Sequence, residues 1–329
     1  MARDAVYTRA LADLRSADDA GFGGKSASLG ELIAAGIPVP PGFALSADAY
    51  RHVLEEAGLR SDAGSEAIMR ALGERPVPAA VRDELAAAYA ALGDDPAVAV
   101  RSSAIGEDSA EATYAGQQET YLWVRGADGV FEAVRACWAS LHGERAASYR
   151  ERLGPAGQAP AMGVTVQLMV DAAVSGVMFT CNPVTGDPSS IAVNASWGLG
   201  VAVVEGEVTP DEYRLSKVTG ELLQRTLGSK DVEYVPGSGG AVRVEVPDER
   251  REQPCLDDAR LDELVAVGRQ VEQHFGCRQD IEWAIARDGE LVLLQSRPVT
   301  TGRAKRGPTA RSAMDLVMHT FGARGTEAS

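Results

Sequence analysis

The sequence predicts an α+β chain built on mostly antiparallel sheet. Three observations carry that reading: helical and strand patterns interleave without regular βαβ spacing, several strand runs follow one another closely, and the last strand pair is a hairpin. Residues 24–36 read as a short helix, with Leu29, Leu32 and Ile33 on one stripe and Gly36 with Pro38-Val39-Pro40-Pro41 ending it. Alanine-rich helical patterns follow at 46–58 and 78–92. Ala97–Arg101 is a short apolar strand, 119–124 is another after a polar loop, and helical periodicity returns at 128–152. Strands are expected at 163–170, 174–180, 191–196, 211–217 and 241–246, then a helix at 256–275.

The closing hairpin, residues 279–298, is the most informative segment. Asp288-Gly289 between two alternating runs is a strong turn signal. With those two residues as the turn, Glu282 faces Gln295 and Asp280 faces Arg297. Side chains alternate along a strand, so these four share one face, while Ile281, Trp283 and Ile285 take the other. Opposed Cβ atoms are about 5 Å apart. Two carboxylates, an amide oxygen and a guanidinium make a poor core. They form either a solvated face with an ordinary Asp–Arg pair, or a clamp for Mg²⁺ and a polyphosphate.

Composition narrows the function classes. The 329 residues are 45% hydrophobic, enough for a sizeable core in two or three subdomains. Lys+Arg 32 against Asp+Glu 47 leaves a net charge of −15, which argues against nucleic-acid or anionic-membrane surfaces. Cys137, Cys181, Cys255 and Cys277 are widely spaced, which excludes the common zinc patterns and a disulfide framework and suits a reducing compartment. The N-terminus has no export signal and no run approaches the roughly 18 apolar residues of a membrane span, so a soluble cytoplasmic location is expected. His52, His142, His274 and His319 show no metal spacing; the first three lie in helical patterns.

Other motifs are weaker singly. Gly21-Phe22-Gly23-Gly24-Lys25-Ser26 is not a P-loop, because the first required glycine falls on Asp19 and no apolar strand precedes it. Lys25 nonetheless opens a helix whose free N–H groups favour anions, the alternative being a solvated surface lysine. Arg101 ends a strand before Ser102-Ser103 and is a candidate phosphate contact or a salt-bridged arginine. Tyr114–Thr120 is a polar loop able to fold over a ligand. Gln167, on an alternating strand, either reads an adenine edge or bonds a neighbouring strand. Asn194-Ala195-Ser196-Trp197-Gly198-Leu199-Gly200 reads as a strand entering a tight turn that needs positive φ.

In order, these segments resemble the nucleotide-binding domain of phosphoenolpyruvate synthases and rifamycin phosphotransferases. The resemblance rests on Gly23-Gly24-Lys25 with Pro-Val-Pro-Pro-Gly-Phe, Val-Arg-Ser-Ser, Ala-Gly-Gln-Gln-Glu-Thr, Ser-Gly-Val-Met-Phe-Thr-x-Asn-Pro and Asp-Ile-Glu-Trp…Gln-Ser-Arg-Pro, over about residues 15–301. Ala-Gly-Gln-Gln-Glu-Thr favours that branch over pyruvate phosphate dikinases. The resemblance implies an ATP-grasp architecture with the nucleotide in a cleft: an N-terminal part at 1–190, a C-terminal part with the hairpin at 191–301, and a basic tail at 302–329 for docking or disorder. It implies ATP and Mg²⁺ as ligands. Lys25 and Arg101 match triphosphate contacts, and with Arg297 they are the residues expected to act in catalysis. Gly116, Gln117 and Thr120 match a closing loop, Gln167 lies near adenine, and Glu282 with Gln295 matches the metal pair, Asp280 and Arg297 beside them. Val201 departs from the family, whose members usually carry Glu there.

Family enzymes continue into a swivelling domain with a histidine in a Thr-Ser-His context, which no histidine here matches. The implied function is therefore an ATP-dependent dikinase-type phosphotransferase subunit. It would cleave ATP, giving AMP and phosphate, and pass a phosphoryl group to a histidine on a separate partner protein. A standalone kinase acting on a small-molecule hydroxyl, a non-catalytic regulatory module and an excised domain of a longer enzyme remain as alternatives.

Overall fold

The computed structural model describes residues 6–105, 119–143, 161–237 and 240–299. They fall into two compact units, one within Met1–Ala34 and Pro40–Met169, the other within Ala35–Val39 and Val170–Ser329. The boundary at Met169 and Val170 differs from the expected one at 190. The strands on either side of 190 pair with each other, so a cut there would split one sheet. The expected tail at 302–329 lies outside the described residues.

The first unit contains β1 (Thr8–Ala10), α1 (Asp19–Phe22), α2 (Gly24–Ala34), β2 (Gly42–Leu45), α3 (Ala47–Glu56), α4 (Ser65–Glu74) and α5 (Ala79–Ala90). It continues with β3 (Val98–Ala104), β4 (Thr120–Val124), α6 (Ala127–Ser140) and β5 (Met162–Leu168). Its strands form one sheet in the order β1-β2-β5-β3-β4, every pair antiparallel. Alternation sorts the strand residues. Phe43, Leu45, Val98, Val100, Val164 and Val166 join Tyr50, Leu54, Ile68, Leu85, Val134 and Trp138 of the helices in one apolar core. Ser46 caps α3 by accepting from the Ala49 amide, which fixes the helix start. Helix α2 packs against the opposite face through Ser26, whose Oγ lies 2.7 Å from Oγ1 of Thr165.

The second unit contains β6 (Ala172–Phe179), β7 (Ser190–Trp197), α7 (Val201–Val204), β8 (Asp211–Ser216), β9 (Leu222–Thr226), β10 (Val232–Gly237) and β11 (Gly240–Glu245). After them come α8 (Asp248–Arg251), α9 (Asp258–Phe275), β12 (Gln279–Ala286) and β13 (Leu291–Pro298). Six strands form an open antiparallel sheet ordered β13-β12-β6-β7-β8-β9, and β10 with β11 makes a separate ribbon. The side chain of Asp257 caps α9 by accepting from the Arg260 amide, and Gly276 at φ 68° ends it. One face of the sheet, carrying Met178, Ile281 and Trp283, is buried apolar surface. A Cβ at Gly268 of α9 would stand 3.1 Å from Sδ of Met178, so at this glycine α9 lies directly against that face. The other face carries the polar residues considered next. No helix among the described residues is long and apolar enough to cross a membrane.

Candidate nucleotide and metal site

The hairpin brings its four polar residues together as the sequence predicts, although by a different route. Arg287, Asp288 and Gly289 form a three-residue loop, not a two-residue turn. The Gly289 amide donates to the Ala286 carbonyl at 2.9 Å, the Ala286 amide to the Glu290 carbonyl at 2.9 Å, and Gly289 sits at φ 93°. That longer loop shifts the register by one residue, so Trp283 opposes Leu293. A bulge at Leu294 then restores it. Beyond the bulge, Glu282 opposes Gln295 and Asp280 opposes Arg297.

Burial gives these groups their character. Asp280 is 5% exposed and Gln295 is buried with it. Nε and Nη2 of Arg297 both lie 3.0 Å from Oδ2 of Asp280, while Oδ1 is buried without a hydrogen-bond partner. Desolvation pushes the Asp280 carboxyl up to about 6; Arg297 pulls it down and Glu282 adds to the rise. An anionic Asp280 is therefore costly until a further cation or donor reaches it. The ordinary solvated-hairpin reading does not describe this face.

In the first unit, the α2 face of the sheet gathers Arg101, Thr120 and Gln167. Arg101 on β3 opposes Thr120 on β4 and Thr165 on β5, and Gln167 lies two residues further along β5 on that face. Lys25, in the first turn of α2, is 5% exposed and donates from Nζ to the Ser102 carbonyl at 3.1 Å. It is not a solvated surface lysine. The helix start is only partly open to an anion, because the Ser26 amide donates to Oγ of Ser103 at 3.2 Å. Gly23, at φ 82°, permits this close seating: a Cβ there would fall 2.1 Å from the Ser103 carbonyl oxygen. Gln167 donates from Nε2 to the Pro40 carbonyl at 3.3 Å, in the segment just ahead of β2. Gly116 and Gln117 lie outside the described residues.

A family model described as "Pyruvate phosphate dikinase, AMP/ATP-binding domain" matches residues 20–316, a span that takes in both sets of residues. This chain belongs to that family. The AMP/ATP-binding domain is 42% identical to a probable phosphoenolpyruvate synthase from Methanothermobacter thermautotrophicus over 91% of its own length and 47% of that protein's. It is 42% identical to a rifampicin phosphotransferase from Streptomyces sp. (89% and 36%) and to a prodigiosin synthesizing transferase from Serratia marcescens (85% and 32%). It thus spans about half or less of these relatives. Among solved structures, D-alanyl-alanine synthetase A from Vibrio cholerae aligns at TM-score 0.34 and 12% identity over 89% of this chain and 58% of that one, too distant to argue from.

The residues of this AMP/ATP-binding domain fit a divalent cation and a polyphosphate. Glu282 and Gln295 offer hard oxygens from opposed strands, and Oδ1 of Asp280 has unused accepting capacity. Val201 opens α7, a position where glutamate would sit at the positive end of a helix. Of the histidines, His52 stacks on Tyr7, His274 meets Phe275 edge-on, and His142 stands in the turn after α6, 2.6 Å from the Tyr50 hydroxyl. His319 lies outside the described residues. All four cysteines are free. No cluster of three or more metal-ligating side chains of the His, Cys, Asp and Glu types occurs among the described residues.

Sequence reasoning missed two polar residues on the sheet face of the hairpin, Asn194 and Ser196 of β7. The signal was present as alternation: Ile191, Val193 and Ala195 point one way, Ala192, Asn194 and Ser196 the other.

Proposed function

We propose that this domain binds ATP with Mg²⁺, cleaves the nucleotide to AMP and phosphate, and passes a phosphoryl group to a histidine on a separate partner protein. The observation that carries the nucleotide reading is the desolvated hairpin face: opposed Glu282 and Gln295, beside Asp280 with one oxygen unpartnered. In this reading Glu282 and Gln295 hold Mg²⁺, whose positive charge would offset the charge that develops on the phosphates.

Lys25 and Arg101 neutralise phosphate oxygens, and Arg297 fixes Asp280 while presenting its guanidinium to the polyphosphate. Thr120, opposite Arg101, adds a hydroxyl at the strand end, and Gln167 lines the base side. The family resemblance adds Gly116 and Gln117 as further phosphate contacts. Transfer to histidine needs the acceptor nitrogen in line, about 3–3.5 Å from phosphorus. His52, His142 and His274 each pack on an aromatic neighbour in this structure, which supports an acceptor located elsewhere.

The test uses ATP labelled with ³²P at the β position. The chain alone should form little AMP; adding a protein that carries a swivelling histidine domain should release AMP and place acid-labile label on that partner. Rapid AMP formation with a small-molecule hydroxyl and no partner would establish the direct kinase instead. Tight ATP binding without turnover under every pairing would leave a regulatory module.

A further inference from the structure

Pairing registers extend the hairpin face across the sheet. Gln295 opposes Glu282, Glu282 opposes Val177, and Val177 opposes Asn194, so one row crosses β13, β12, β6 and β7 with every side chain on the same face. The next row runs Ala284, Ser175, Ser196. Strands lie about 4.8 Å apart, which sets Asn194 roughly 10 Å from Glu282 across the sheet.

Asn194 and Ser196 are each 1% exposed. Nδ2 and Oδ1 of Asn194 and Oγ of Ser196 have no hydrogen-bond partner, as does Oδ1 of Asp280 on the same face. Ser175 of β6, between Ser196 and Ala284, donates instead to the Gly198 carbonyl at 2.6 Å, so not every polar side chain on this face is orphaned. A buried polar atom left unpaired costs its full desolvation penalty, and buried polar groups in folded proteins are nearly all paired. With Oγ of Ser190 further along β7, five such atoms lie on one face of one sheet; the four on Asp280, Asn194 and Ser196 fall in three successive rows and are not accounted for by packing.

We infer that Asn194 and Ser196 are polyphosphate-binding residues, extending the hairpin's metal site two strands further to β7. The inference rests on the proposed nucleotide function and adds to it the residues that hold the far end of the phosphate chain. An amide with both ends unpartnered needs a ligand that accepts at one point and donates or is cationic at the next. A magnesium polyphosphate meets that need: an anionic oxygen accepts from Nδ2, and the cation or one of its waters meets Oδ1. The Ser196 hydroxyl donates to a neighbouring phosphate oxygen. Val177, between Glu282 and Asn194 in the first row, keeps the floor apolar, so these contacts are made with little competing water.

Asn194→Leu and Ser196→Ala test this in the full chain, with Glu282→Ala as reference. Replacing an unsatisfied buried amide by an apolar group of similar shape should leave the nucleotide-free melting temperature unchanged or raised. Calorimetry with Mg²⁺–ATP should show affinity falling by about tenfold or more for Asn194→Leu and about threefold to tenfold for Ser196→Ala. Ser196→Ala removes a single atom and carries the test if Asn194→Leu does not fold. Wild-type affinity in both folded variants, with Glu282→Ala impaired, would overturn the inference and leave the proposed function standing. Absence of Mg²⁺–ATP binding by the wild type would overturn both.

Discussion

Arg297 reaches across the strand pair to Asp280, and both its Nε and its Nη2 lie 3.0 Å from the same oxygen, Oδ2. The other oxygen is buried without a partner, and the carboxyl is pushed up to about 6 from an ordinary value of 3.8. The native state thus binds this proton more tightly than the unfolded chain does. Its contribution to stability is lost as pH rises from about 4 through 6, by roughly 3 kcal/mol at most. Asp280→Asn has no such proton to lose. The melting temperature of the variant minus that of wild type should therefore climb between pH 4 and pH 7 and then level off. A difference independent of pH would mean the carboxyl is solvated.

Glu282→Ala should leave the melting temperature within about a degree of wild type, because the side chain is only half-buried. Mg²⁺–ATP affinity, read by calorimetry, should fall by about tenfold or more, since a carboxylate is lost from the cation's hard-oxygen set. Unchanged affinity would remove the hairpin from the site.

Lys25→Met and Arg101→Met should each weaken nucleotide binding by about 1.5–3 kcal/mol, the range for a charge-assisted hydrogen bond to phosphate. Lys25 is buried, so methionine keeps its packing while removing the ammonium. Dissociation constants equal to wild type would assign Lys25 to partners within the protein, the Ser102 carbonyl among them, and not to the nucleotide.

Lys230 and Asp211 form an ion pair with both side chains fully buried, and Asp211 also accepts from the Gly228 and Cys255 amides and the Tyr213 hydroxyl. Removing the lysine strands a carboxylate in the protein interior. Lys230→Met should destabilise the fold by about 3–5 kcal/mol in urea melts, far more than any change at the hairpin. A loss under 1 kcal/mol would show that the three remaining donors suffice.

Iodoacetamide at pH 8 should label Cys277, the exposed cysteine, and spare the buried Cys137, Cys181 and Cys255. Burial drives the Cys137 thiol up to about 12, so its thiolate is scarce at that pH. Peptide mass spectrometry that finds Cys137 alkylated in the folded chain would contradict the packing of α6.

Residues close together in the chain made much of the fold legible. The alternation of Asp280, Ile281, Glu282 and Trp283 dictates opposite faces, and Asp257 with Gly276 brackets α9 through caps that depend on neighbours alone. The facing pairs of the hairpin were readable too, although an extra loop residue and an extra bulge residue cancelled. Short elements were not: β1 and β2 hold three and four residues, too few for a period to show. Exposed β9 has no buried face to impose alternation.

Only the tertiary structure decided what each polar residue faces. That Lys25 is buried on the Ser102 carbonyl depends on a strand 77 positions away, and that Asn194 shares a row with Glu282 depends on β6 lying between β12 and β7. By itself the sequence determined the local periods, the caps and the family to which the motifs belong. Strand order and burial come from pairings between distant segments, whose energies depend on neighbours that no local window contains.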